Sequence, residues 1–329
     1  MGRAVSIAEL AEWLKAHDDY AVMGHVNPDG DAAGSCIAMT LALRSLGKRA
    51  CAVLPEGLPE RFVKFEGSDI ARSDAEEPPF PIRTVLTLDT ADQARMGEKG
   101  SKLADTLPTA LLDHHGTNSG YGDVWYIDGQ AAAAGEIAVD LIDALGVTIT
   151  KDIARWLYIA ISTDCGRFGY SNTRPLTMRA AARLIEAGID VAYLNRELYN
   201  TRPYAKLLLT GEVYSRVKLT CGGKVAWSVL TKDMLEHTGA LPEDSDTLSS
   251  EILTIEGVEV SVLAQERDDE VKFSLRSKEW ADVANDAAKV FGGGGHTRAA
   301  GCSIKKPMDE AIAMMLTQVA KIFDEKTGV

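Results

Sequence analysis

The chain has 329 residues, 46% hydrophobic and 25% charged, and its 35 basic against 48 acidic residues leave a net charge of −13. This is a globular composition with a mean hydropathy of −0.07, and no apolar run approaches the roughly 20 residues that cross a bilayer. The acidity argues against coating long nucleic acid by phosphate neutralisation, and five scattered cysteines without Cys-x-x-Cys spacing argue against disulfides or a zinc knuckle.

At about 150 residues per domain, the length predicts two domains. The first residues carry no signal-peptide core, so a cytoplasmic location is expected. Residues 5–16 read as an amphipathic helix and Tyr20–Gly24 as a short apolar strand, followed at once by His25-Val26-Asn27-Pro28-Asp29-Gly30-Asp31. A long helix rich in Ala, Leu and Met runs from near Ala32 to near Gly47, and Lys48–Leu54 is a second strand. The acidic, proline-containing stretch Ser73–Pro81 reads as a surface loop. Strand Thr84–Leu88 leads directly into Asp89, and strand Thr109–Leu112 into Asp113-His114-His115. A strand at Val124–Ile127, a helix at about 131–145 and a helix at 152–162 follow, the last delivering Asp164. Continuous apolar strands alternating with helices predict a mostly parallel sheet flanked by helices. Ligands of such sheets bind beyond the carboxyl ends of the strands, where these acids and imidazoles sit.

From about 175 to 210 the pattern is helical. The expected organisation is an N-terminal domain over residues 1–189, a helical connector and hinge over 190–212, and a smaller C-terminal α/β domain over 213–329. In the latter, Lys224–Leu230 reads as a strand, Val258–Gln265 and Val271–Ser277 as a hairpin, and Val283–Phe291 as a short helix. The run Gly292-Gly293-Gly294-Gly295-His296-Thr297-Arg298 comes next, then a final strand and helix. Glu243–Asp246 reads as a solvated loop.

Two of these runs concentrate imidazole and carboxylate in a chain with only six histidines. Such oxygen and nitrogen donors suit manganese and similar divalent metals, and paired metals cleave phosphate esters. His25, Asp29 and Asp31 share a turn favoured by Pro28 and Gly30, and the following helix presents its N-terminal amides to anions. The competing reading is a helix cap at Asp31 with His25 merely buried. Asp89 is placed to bridge two metals. His114 and His115 cannot both point the same way from an extended chain, so one can bind metal while the other faces substrate, with Asp113 orienting one of them. Asp164 precedes Gly166, which permits a tight turn; Cys165 beside it has no evident base and reads as a small buried residue. The glycine run lets backbone amides approach an anion, His296 and Arg298 add donors, and Arg276-Ser277 can add a clamp. His17 and His237 read as surface residues, and Arg95 has no assignment.

Five of these segments together resemble the DHH phosphoesterase superfamily: 25–31, Leu88-Asp89-Thr90, Asp113-His114-His115, Thr163-Asp164-Cys165-Gly166, and Gly-Gly-Gly-His-x-x-Ala-Ala-Gly at 293–301. The last resembles the DHH-associated substrate-binding domain. The length and layout look most like the nano-RNase and 3′-phosphoadenosine 5′-phosphate (pAp) phosphatase branch. Cys165 stands where threonine is common in that family.

The resemblance implies two manganese ions, with magnesium or cobalt as substitutes. His25, Asp29 and Asp89 would surround one, and Asp31, Asp89, His114 and Asp164 the other. His115 would contact the reacting phosphate, with Asp113 beside it. Arg276, Ser277, Gly293, Gly294, Gly295, His296 and Arg298 would grip the substrate. The implied activity is hydrolysis of short oligonucleotides or pAp through two-metal hydroxide attack, with the second domain closing over the cleft. Neither long nucleic acid nor a membrane is an expected partner, and a homodimer stays open. A phosphodiesterase for cyclic or linear dinucleotides is the alternative of the same chemistry, and a non-catalytic nucleotide sensor the alternative of another class. The glycine run argues against a type II inorganic pyrophosphatase, and the absence of a basic track against a long-strand exonuclease.

Overall fold

The computed structural model describes residues 2–278, 283–296 and 298–327, without the side chains of residues 296, 326 and 327. The backbone divides into two compact units, Met1–Asn200 and Thr201–Val329. No helix among the described residues is long and apolar enough to cross a membrane.

The first unit holds strands β1 (Arg3–Ala4), β2 (Tyr20–Met23), β3 (Ala50–Val53), β4 (Ala71–Arg72), β5 (Thr84–Leu88), β6 (Thr109–Asp113) and β7 (Val124–Ile127). They form one sheet in the order β1-β7-β6-β5-β2-β3-β4, and every pairing is parallel. Its helices are α1 (Ile7–Ala16), α2 (Gly30–Ser45), α3 (Glu60–Val63), α4 (Gly97–Thr106), α5 (Ala134–Leu145), α6 (Lys151–Asp164), α7 (Pro175–Glu186) and α8 (Val191–Asn195). The continuous apolar strands are buried throughout at β2, β3, β5 and β6, as a sheet covered on both faces requires. One face packs on α1, α2, α5 and α6 through Leu10, Ile37, Leu43, Leu112, Ile137 and Trp156. The other packs Met23, Val53, Val85 and Met96 against Phe80, Ile82 and Leu103.

Helix α2 is buried on almost every side, so it lacks the polar stripe of a surface helix. Gly34 permits that depth: a Cβ there would lie 2.4 Å from the Trp156 carbonyl oxygen on α6. Strand order also fixes where a ligand goes. The chain leaves β2 for β3 on one side, yet β5 lies on β2's other side, which makes the β2/β5 junction the switch point of the sheet.

The stretch read as a connector contains α8, a π-helical turn at Arg196–Asn200 and most of α9 (Tyr204–Ser215). The second unit adds α10 (Lys232–Thr238), α11 (Leu248–Ile252), α12 (Val283–Val290) and α13 (Met308–Thr327). Its strands β8 (Lys218–Thr220), β9 (Val225–Leu230), β10 (Val260–Glu266), β11 (Val271–Ser277), β12 (Gly294–His296) and β13 (Ala299–Ile304) form a sheet ordered β12-β13-β11-β10-β9-β8. Among the described residues of this sheet, β9 and β10 alone pair in parallel. The expected hairpin is β10–β11, and Phe273 and Val319 lie in the core on the α12/α13 face. The expected loop at Glu243–Asp246 instead contains a short 3-10 turn, Pro242–Ser245.

Candidate metal centre

Three neighbouring strands, β2, β5 and β6, end at one edge of the first unit, and within two residues each leads to an acid or imidazole, His25, Asp89 and His114. After β2 the chain turns through Asn27, held at a positive φ of 53°. Asp29 then caps α2: its Oδ1 accepts from the amides of Asp31 at 2.9 Å and Ala32 at 3.1 Å. The cap is therefore Asp29, and Asp31 lies inside the first turn. Asp31 is fully buried and accepts the amides of Ala134 at 2.6 Å and Gly135 at 2.8 Å. Those amides open α5, so the helix end stabilises its charge. Gly30 and Gly135 make this approach sterically feasible. A Cβ on Gly30 would lie 2.3 Å from Thr163 Oγ1, and one on Gly135 would lie 2.5 Å from the Ala160 Cβ.

Asp89 leaves β5 with a φ of 56°, a left-handed conformation that an aspartate adopts at a cost. The result is a buried carboxylate whose two oxygens face different imidazoles. Oδ2 lies 3.5 Å from His25 Nε2, and Oδ1 lies 3.3 Å from His114 Nε2. His25 Nε2 also stands 3.9 Å from Asp29. His114 Nε2 stands 3.7 Å from Asp31 and 3.6 Å from Asp164 at the end of α6.

The partners on the far side of each ring set its direction. His25 Nδ1 donates to the Val26 carbonyl at 2.7 Å, and His114 Nδ1 faces the Ala131 carbonyl at 3.3 Å. Both rings thus turn Nε2 towards the carboxylates. His115 does the opposite: its Nδ1 donates to Asp113 Oδ1 at 2.9 Å, which leaves Nε2 outside that pair. Asp113 is fully buried, and its other oxygen accepts from Asn118 Nδ2 at 2.6 Å. Asn118 also donates to the Thr90 carbonyl at 3.0 Å, tying the loop after β6 to the loop after β5. Sequence reading missed Asn118 because it sits in a Gly-Thr-Asn-Ser-Gly segment that looks like an ordinary turn.

Crowded carboxylates displace one another's protonation. Burial, reinforced by Asp89, pushes Asp31 well above the usual carboxylate range, with His114 opposing. Burial also pushes Asp164 up to about 6, Asp89 and Asp29 adding to it. Burial would raise Asp89 as well, but the His114 and His25 imidazoles outweigh it and hold Asp89 at about 2. Burial disfavours the charge on His114, yet Asp89, Asp31 and Asp164 hold that imidazole up at about 10. The cluster therefore wants positive charge at its centre. Among the described residues, three sets of donor atoms fall within 4.8 Å of one another: His25, Asp29 and Asp89; Asp31, His114 and Asp164; and Asp89, His114 and His115. Separations of 3.3–3.9 Å are long for hydrogen bonds but suit donors each about 2.1 Å from a shared cation. The donor set and its spacing fit divalent ions.

In the second unit, Arg276, Ser277 and Arg298 come together where β11 meets β13. Ser277 donates its amide to the Arg298 carbonyl at 3.0 Å, and Arg276 pairs with Ala299. Ser277 Oγ is buried with no hydrogen-bond partner among the described residues. Burial lowers the Arg276 guanidinium below its ordinary value, and its Nη1 donates to its own Leu275 carbonyl at 2.9 Å. The glycine run joins a helix end to an edge strand. Amides of Gly292 and Gly293 donate to Lys289 and Ala288 at the end of α12, and Gly294–His296 pair with β13 as an edge strand. Close packing there demands glycine, since a Cβ on Gly293 would lie 2.2 Å from the Gly301 oxygen and one on Gly295 2.4 Å from the Ala299 oxygen. The side chain of His296 and all of Thr297 lie outside the described residues.

A parallel α/β unit with imidazoles and carboxylates at the ends of adjacent strands, followed by a separate mixed-sheet unit, defines a phosphoesterase class of hydrolase. The chain belongs to the DHH family: residues 19–161 match the DHH family, N-terminal domain, and residues 222–325 the DHHA1 domain. It is 37% identical over 312 residues to the bifunctional oligoribonuclease and PAP phosphatase NrnA of Thermus thermophilus, covering 94% of this chain and 92% of that protein. Against the protein of the same name from Bacillus subtilis the identity is 30% over 305 residues, covering 90% and 92%. The crystal structure of an exopolyphosphatase-related protein from Bacteroides fragilis superposes with a TM-score of 0.87 at 26% identity, over 96% of this chain and 95% of that one. Exonuclease RecJ bound to manganese shares the fold with a TM-score of 0.54 at 16% identity, over 96% and 94%.

Proposed function

We propose that this chain hydrolyses short oligonucleotides to mononucleotides and pAp to AMP, with two divalent cations, manganese foremost. The observation that carries the reading is Asp89, whose two carboxylate oxygens face His25 on one side and His114 on the other. One cation would be held by His25, Asp29 and Asp89, and the second by Asp31, Asp89, His114 and Asp164. Four aspartates in these sets carry four negative charges, which two divalent ions balance while both imidazoles stay neutral. When bound, the cations supply Lewis-acid stabilisation of phosphoryl charge and a water acidic enough to act as nucleophile near neutral pH.

The chain's own groups do the rest. Asp113 fixes the tautomer of His115, so that Nε2 is available to a phosphoryl oxygen. The α5 amides hold Asp31 in one orientation. Arg276, Ser277, Gly293, Gly294, Gly295, His296 and Arg298 are assigned to the nucleotide end of the substrate. The names of the Thermus and Bacillus relatives support the substrate class.

The test is turnover by the full chain of pAp, dinucleotides, short RNA, cyclic dinucleotides and pyrophosphate, with manganese, magnesium or chelator. Release of AMP and mononucleotides with manganese, abolished by chelator, is expected. Turnover of cyclic dinucleotides or pyrophosphate alone, or turnover that chelator leaves unchanged, would contradict the reading.

A further inference from the structure

Arg95 lies in the 3-10 turn Gln93–Met96 that follows β5, and it is half-buried. Its backbone is fixed at both ends. The Arg95 carbonyl accepts the Val26 amide at 2.7 Å, and the Arg95 amide donates to Asp92 Oδ1 at 3.2 Å. The clip to Val26 sets the side chain beside His25, with Nη2 3.3 Å from His25 Nδ1.

That contact is not a hydrogen bond. His25 Nδ1 also lies 2.7 Å from the Val26 carbonyl oxygen. A carbonyl only accepts, so Nδ1 must carry the hydrogen, and the guanidinium is a second donor facing it. The same tautomer leaves Nε2 with a lone pair towards Asp29 and Asp89. Among the described residues, no carboxylate forms an ion pair with Arg95, although four aspartates crowd the adjacent cluster. Its planar fork suits the oxygens of a phosphoryl group.

The geometry points to Arg95 as a substrate-binding residue that holds a phosphoryl oxygen at the metal centre; this rests on the function proposed above. It does not position His25, because the Val26 carbonyl already fixes that ring. The experiment titrates the full-length chain twice, first with manganese alone and then with AMP at saturating manganese, for wild type, Arg95→Ala and Arg95→Lys. KM and kcat for pAp are measured in parallel. Arg95→Ala is expected to keep the manganese stoichiometry and affinity of wild type. It should weaken AMP binding and raise KM by about tenfold or more, the loss of one charge-assisted contact. Arg95→Lys should recover part of that loss. Reduced manganese affinity in Arg95→Ala would overturn the assignment and make Arg95 a support for His25. Unchanged AMP affinity and KM in both variants would overturn it as well. A wild type that binds AMP without turning over any phosphoester would defeat the proposed function, while the AMP titration still reads Arg95.

Discussion

His114 and His115 are neighbours in sequence, and their positions separate because each Nδ1 finds a different acceptor. The Ala131 carbonyl turns His114 Nε2 towards three carboxylates, while Asp113 takes His115 Nδ1, which also lies 3.7 Å from Asp89. Sequence alone shows that the two rings must diverge but not which goes where, since both acceptors are brought in by folding. The carboxylates were easier to find, because each follows an apolar strand or closes an apolar helix. Asp31→Asn keeps the size of the side chain but turns an NH2 against the α5 amides and removes a charge. Turnover should fall by about a thousandfold with the fold intact, and manganese-dependent activity near wild type would refute its assignment as a ligand. Asn118→Ala should leave Asp113 short of a donor and slow turnover by about 10–100-fold, the usual effect of an outer-shell partner. Wild-type kcat in that variant would show that Asn118 does not position His115.

The parallel strands were legible because β2, β5 and β6 are short, mostly apolar runs closely followed by acids and imidazoles. The three-residue strands β8 and β12 and the short helices α3 and α11 were not, since segments of that length show no periodicity. The glycine run read as backbone open to an anion, and its glycines also serve a helix end and an edge strand where backbones meet too closely for a Cβ. At the crossing of α2 and α6 the same constraint acts on the site, because Gly30 lets Asp31 and Asp164 approach. Gly30→Ala places a methyl group against Thr163 and should cost about 1–3 kcal/mol of stability, the usual price of overpacking. Calorimetry with and without manganese checks this. A lowered melting temperature with weakened manganese binding is expected, and both values unchanged would show that the crossing tolerates the methyl group.

For the whole molecule, the net charge of −13 and the local character of the arginine groups bear on substrate length. An acidic chain gains little from neutralising many phosphates. Turnover per RNA end should therefore drop at least about tenfold between a dinucleotide and a strand of some 20 nucleotides, with a weak dependence on salt. Steady-state rates across a length series measure it; equal rates at every length would contradict the short-substrate reading. On the proposed reading manganese binds the folded cluster and not the unfolded chain, so the ion at about 100 times its Kd should add close to 2.7 kcal/mol of stability. Chelator should reverse the rise in melting temperature, and a melting curve indifferent to manganese would count against the site.

The most direct measurement is anomalous diffraction at the manganese edge from crystals of the full chain grown with the metal. Two peaks are predicted, one among His25, Asp29 and Asp89 and one among Asp31, Asp89, His114 and Asp164, about 3.5–4 Å apart as in two-metal phosphatases. A single peak that Asp89 does not touch, or no peak at these side chains, would contradict the account.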